Sequence, residues 1–131
     1  MNTEAFNFFL VEIFALLQRK FPVRELIDLD ELVEKYRENG GTEQGDVEQI
    51  AEETVTWLND EGYIRHSQFH YVLTEKGLAL LKVRPLEGID GKTIGDKVRE
   101  VASDTAKEGR NAAIAAVVGE IISTFMKSIV K

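Results

Sequence analysis

The chain has no cysteine, only two prolines and only two histidines among its 131 residues. Without cysteine there is no disulfide framework, no thiolate nucleophile and no Cys-based zinc site. That composition suits the cytoplasm, the compartment expected here. Zinc sites need three or four protein ligands, and no Asp or Glu stands near His66 and His70 in "RHSQFHYVL". Both histidines are therefore read as half-exposed surface residues, with no metal and no cofactor expected. A run of about 20 apolar residues, the length a bilayer demands, is also missing. The opening "MNTEAFNFFLVEIFALLQRK" is apolar enough to suggest a secretory leader. It lacks a basic start, carries Glu4 and Glu12, and has no small-residue cleavage site before Arg19 and Lys20, so a folded helix is expected.

Positive charge is scarce where it would matter most for a polyanion. Residues 1–62 hold 5 Lys/Arg against 15 Asp/Glu, and residues 63–131 hold 11 against 8, for a net charge of −7. Nucleic-acid binders gain most of their affinity by neutralising phosphates and usually show a basic surface.

With 44% apolar and 30% charged residues, the composition is that of a folded domain with a helical extension. Helical spacing predicts a first helix over about Thr3–Lys20, with Thr3 as N-cap. Phe6, Leu10, Ile13, Phe14 and Leu17 form one stripe, while Phe8, Phe9, Val11, Ala15 and Leu16 spread apolar surface beyond it. A surface helix needs a single apolar face, so this one requires cover on two sides. After Pro22, Glu25–Ile27 reads as a short strand, and Asp28 or Asp30 caps a helix through Leu29, Leu32, Val33 and Tyr36 that ends at Asn39-Gly40-Gly41. Asp46 caps the next helix, whose buried stripe is Val47, Ile50, Ala51, Val55 and Leu58, and Gly62 ends it. "YIRH" and "FHYVL" read as two strands turning at Ser67-Gln68. Thr74 caps a helix closed by Pro85. Residues 85–93 read as a linker, and 94–131 as a helical extension with a break at Gly109.

The stretches "WLNDEGYI" (57–64) and "YVLTEKGLALL" (71–81) resemble the L-x-x-x-G-[YL]-I…Y-x-L-T-x-x-G-x-x-L-L pattern of MarR-like and PadR-like winged helix-turn-helix regulators. The resemblance covers roughly residues 4–84. It implies a mostly α (α+β) winged helix with a two-stranded wing, a dimer formed through terminal helices, and transcriptional regulation. Carried over, base-reading positions fall on Gln49, Glu52, Glu53 and Thr56, and wing contacts on Arg65, His66, Ser67, Gln68 and His70. The chain departs from the pattern: "GDVEQIAEETVTWLNDE" carries six acidic residues and no basic one, and its glutamates would meet phosphate. The principal DNA-contact candidates, if DNA is bound at all, are Gln49, Thr56, Arg65, His66 and Gln68.

Other candidates have simpler readings. Asp28, Asp30, Glu31 and Glu34 look like a cap and a solvated face, since nothing nearby builds a pocket to shift their pKa values. "GIDGKTIGDK" fails the phosphate-loop spacing. No nucleophile, base and orienting group can be assembled, so the chain is expected not to be an enzyme. From Ala112 to Met126 only Glu120 is charged, which leaves three readings for the tail: packing on the N-terminal helix in cis or across a homodimer, association with a membrane through 112–130, or docking on another protein. The preferred interface residues are Phe8, Val11, Ala15, Ile114, Val118, Ile122, Phe125 and Ile129. The leading function is a non-catalytic winged-helix interaction or adaptor module. A DNA-binding regulator, with Arg65, Lys76, Lys82 and Arg84 as its basic surface, is the alternative, and a membrane-associated protein is the third.

Overall fold

The structure, a computed structural model, describes residues 3–84, 91–103 and 110–129. In chain order these form α1 (Thr3–Lys20), β1 (Glu25–Leu26), α2 (Leu29–Glu38), α3 (Val47–Asp60), β2 (Ile64–Ser67), β3 (His70–Leu73), α4 (Glu75–Leu81), α5 (Ile94–Ser103) and α6 (Arg110–Ile129). The architecture is mostly helical, with one small antiparallel sheet in the order β1-β3-β2, an α+β arrangement.

The first helix is the axis of the fold. Ala5, Phe9, Leu10, Ile13 and Phe14 are wholly inaccessible, and Phe8, Val11, Ala15 and Leu17 nearly so. Its surplus of apolar residues is covered from several directions within the same chain, by α2 and α3 and by α5 and α6. Phe8 and Phe9 meet the Tyr36 ring of α2 at centroid distances of 5.4 and 5.6 Å. Phe6 meets Trp57 of α3 at 5.7 Å. Ile94, Val98 and Val101 of α5, and Ile114, Val117, Val118 and Ile121 of α6, join the same buried cluster. Each such side chain contributes roughly 1.5–3 kcal/mol when taken fully from water, so the tail belongs to the core.

Local chemistry sets the helix starts. Asp28 Oδ1 accepts from Glu31 N at 3.1 Å, and Asp46 Oδ1 from Gln49 N at 3.0 Å. Thr74 Oγ1 accepts from Gly77 N at 3.1 Å while donating to Gly62 O at 2.5 Å. Each such cap is worth about 1 kcal/mol. The helix expected from residue 94 starts there, but its cap was not anticipated from sequence. Thr93 N donates to Asp96 Oδ2, and Asp96 N donates to Thr93 Oγ1, both at 3.0 Å. This reciprocal box opens α5. The Thr93 hydrogen bonds hold the Asp96 carboxyl below the usual carboxylate range, with the charges of Arg99 and Arg84 adding to the effect. The end of the expected linker is thus engaged: Lys92 pairs with Glu100 at 2.5 Å, and Ile94 N donates to Val83 O at 2.8 Å. Pro85 and the rest of that linker through Asp90, and Thr105 and Gly109 beyond α5, lie outside the described residues.

Glycine matters on both sides of the hairpin. Gly62, at φ +83°, turns the chain from α3 into β2. Gly77 lets α4 sit against the Tyr63 carbonyl, which a Cβ would overlap. In the hairpin, Ile64 pairs with Leu73, Arg65 with Val72, His66 with Tyr71 and Ser67 with His70. The two-residue turn is therefore Gln68-Phe69, one residue later than the expected Ser67-Gln68. Ile64 and Leu73 are both buried, and a one-residue slip would send each to the opposite face, so burial sets the register.

Candidate functional site

Three surfaces held the expected site residues: the outward face of α3, the β2–β3 hairpin and the terminal helices. On α3, Glu48, Gln49, Glu52, Glu53 and Thr56 are all exposed. Glu48 has Arg37 at 3.8 Å, but both side chains are more than half exposed, and such a pair does little to neutralise a face. Gln49 and Thr56 therefore stand among carboxylates.

On the hairpin, Arg65, His66, Gln68, Phe69 and His70 are exposed. His66 N donates to Asn59 Oδ1 at 3.2 Å, tying the outer strand to the end of α3. The His66 ring lies 4.8 Å from the Tyr71 ring, and its Nε2 accepts from Phe69 N at 3.2 Å. His70 Nδ1 contacts Gln68 O at 2.9 Å. Both histidines brace the turn. Among the described residues no group of three His, Asp or Glu is placed to hold a metal ion.

The turn itself is unusual. Gln68 and Phe69 have φ of +49° and +70°, the left-handed pair of a type I′ turn, which favours Asn and Gly. Phe69 is nevertheless a bulky aromatic, and 78% of it is exposed.

The expected interface residues of the terminal helices have a different setting. Phe8, Val11, Ala15, Ile114 and Val118 are buried inside the single chain, and Ile122 and Phe125 are half-buried. The Phe125 ring lies 6.0 Å from Trp57 and 5.7 Å from Tyr63. Lys76 Nζ stands 4.6 Å over the Tyr63 ring and donates to Glu61 O at 2.8 Å, so this cation is occupied by the fold. Burial, with the Glu61 charge adding, pushes the Tyr63 phenol up to about 12. The Ile129 side chain lies outside the described residues. The outward face of α6 carries Ala112, Ala115, Ala116, Gly119, Ser123 and Met126. No helix among the described residues is long and apolar enough to cross a membrane.

The acidic residues at the start of α2, Asp28, Asp30, Glu31 and Glu34, are all exposed. Asp28 is the cap described above, and Glu31 lines an open cleft of about 620 Å³ between α1, α2, β1 and α5. That cleft also holds Glu12, which is 7% exposed and accepts from Lys35 Nζ at 2.8 Å. Arg19 and Arg99 line it too, so charges of both signs face one another across it.

Sequence reasoning missed one surface. Phe21, Val23 and Leu26 are 41%, 64% and 55% exposed. Leu26 pairs with His70, the neighbour of Phe69, and Phe21 and Val23 line an open cleft with Arg65 and Val72. No periodicity announces this: the residues come from a turn and two strands that only pairing brings together. No protein-family model, no curated protein and no solved structure matches this chain.

Proposed function

We propose that the chain is a non-catalytic, cytoplasmic interaction module of the winged-helix type, which binds another protein through its wing side. The order helix, strand, helix, helix, hairpin, helix supports the fold reading, with α3 in the place of a recognition helix and β2–β3 as the wing. The observation that carries the function is the division of the surface. The α3 face is acidic, whereas Phe69, Phe21, Val23 and Leu26 expose apolar surface around the wing. Phosphate repels the first and gains nothing from the second. Exposed aromatic residues beside polar ones suit a protein contact.

The test is a labelled random duplex titrated with the protein at about 50 mM salt, where phosphate contacts register most strongly. No binding at tens of micromolar is expected. Binding that fades near ~200 mM salt and is weakened by Arg65→Glu would replace this reading with a DNA-binding regulator.

A second reading, self-association, is favoured by the outward face of α6. From Asn111 to Met126 its sole charge, Glu120, is held by Lys97 at 3.1 Å, and small residues there permit close helix approach. The homodimer, if formed, would use this face in place of the buried residues first nominated. Sedimentation equilibrium of wild type and Gly119→Leu decides it: a dimer should become a monomer.

A further inference from the structure

We infer that the cleft between the α1–β1 turn and the outer face of the β2–β3 hairpin is a docking groove for an acidic–apolar peptide, an extended partner segment in which Asp or Glu stands beside Leu, Ile or Phe. This rests on the interaction-module reading and supplies the chemistry of its partner.

The groove has an apolar floor and a basic rim. Val72, only 5% exposed, and Leu78 of α4 line it, as do Phe21 and Val23 of the α1–β1 turn. Arg65 is the cross-strand neighbour of Val72, so a guanidinium stands directly beside the floor. Arg24 lines the same cleft from the β1 side. Both arginines are exposed, and among the described residues neither has a carboxylate within ion-pair distance. Among the described residues, by contrast, Lys20, Lys35, Arg37, Lys92, Lys97 and Arg99 each hold a carboxylate. Glu75 also lines the groove, which leaves one net positive charge there, in a chain of net −7.

Charge and shape together select the occupant. An arginine fork matches a carboxylate in two parallel hydrogen bonds. An apolar side chain next to that carboxylate reaches the Val72–Leu78 floor. A phosphate backbone has nothing to place on that floor, and the chain's net charge repels a polyanion. A bilayer surface is flat and would touch the rim alone.

The experiment pans a random peptide library on the full chain and titrates a synthetic copy of the strongest binder by fluorescence anisotropy. Enrichment of Asp or Glu next to Leu, Ile or Phe is expected. The double variant Arg24→Glu/Arg65→Glu should weaken binding about tenfold or more, and a peptide with its acids changed to Lys should regain it. Glu52→Lys/Glu53→Lys should leave binding unchanged. All four positions are exposed, so an unchanged urea midpoint confirms that the folds are intact. Binders without acidic residues, or binders indifferent to the arginine changes, overturn the groove. If such binders are basic and are lost in Glu52→Lys/Glu53→Lys, the interaction module survives with its contact on α3. If no peptide is enriched, the groove is overturned. If Arg65-dependent binding to duplex DNA or to vesicles of anionic phospholipid appears as well, the module reading falls with it.

Discussion

The turn at Gln68-Phe69 offers a direct test of how the hairpin is built. Both residues sit at positive φ, +49° and +70°, and each L-residue held there costs roughly 1–2 kcal/mol relative to glycine. Changing the pair to Asn-Gly removes most of that cost. Two losses oppose it. Glycine adds about 0.5–1 kcal/mol of chain entropy to the unfolded state. Phe69 is 78% exposed, so its burial contributes no more than about 0.5 kcal/mol. The backbone hydrogen bond from Phe69 N to His66 Nε2 survives the change. The net expectation for Gln68→Asn/Phe69→Gly is a gain of about 1 kcal/mol, read as a higher urea midpoint at constant slope and a Tm higher by roughly 3–4 °C. Trp57 fluorescence is the natural probe, since its ring packs against Phe6 and Phe125. Phe69→Ala separates the two contributions. It deletes the ring but keeps a Cβ at positive φ, so it should be close to neutral. If the glycine variant is no more stable than the alanine variant, the turn is not strained and the argument fails. If it is more stable and also binds partner less well, the strain is retained for the sake of the aromatic ring.

Three further outcomes follow from the packing. Lys35→Met removes the ammonium from the buried Glu12 carboxylate and should destabilise by about 1–3 kcal/mol, whereas Glu12→Met/Lys35→Met should recover most of the loss; chemical denaturation of the single and double variants checks this, and equal losses in both would refute it. Gly77→Ala drives a methyl into the Tyr63 carbonyl and should cost more than about 2 kcal/mol, while Gly119→Ala meets open space and should add up to about 1 kcal/mol through helix propensity; thermal melts of the two variants should move in opposite directions. The Tyr63 phenol titrates near 12 in the folded chain and near 10 when unfolded, so its contribution is complete below about pH 10 and lost as pH rises towards about 12. Urea midpoints should fall across that window, less steeply in Tyr63→Phe, and an unchanged slope in the variant would show that burial does not hold the proton.

What was legible in the sequence was what is decided locally. Asp28, Asp46 and Thr74 announce their helices because a cap is made within three residues. Thr93 and Asp96 carry the same signal, hidden by a glycine-rich stretch that read as linker. The excess of apolar residues on α1 demanded cover on two sides, and four helices of the chain supply it. Which elements would provide them was not written in the periodicity, because α5 and α6 return from far along the chain. The turn was misplaced because Ser67-Gln68 has better turn residues than Gln68-Phe69, and the register is fixed at the other end of the hairpin by Ile64 and Leu73. The groove was invisible for a related reason. Arg24 and Arg65 line one cleft only because β1 pairs with β3 and β3 with β2, and a sheet partner is not encoded in neighbouring residues.

The central position of α1 has a consequence for how the chain is made. This helix leaves the ribosome before every other element of the fold, yet Ile114, Val118 and Ile121, which complete its cover, belong to the last of those elements to follow. Until α6 follows, this deeply buried helix waits for a lid that does not yet exist. Exposed apolar surface of this kind favours aggregation of a growing chain. A premature stop ahead of α6 would leave that surface open for good.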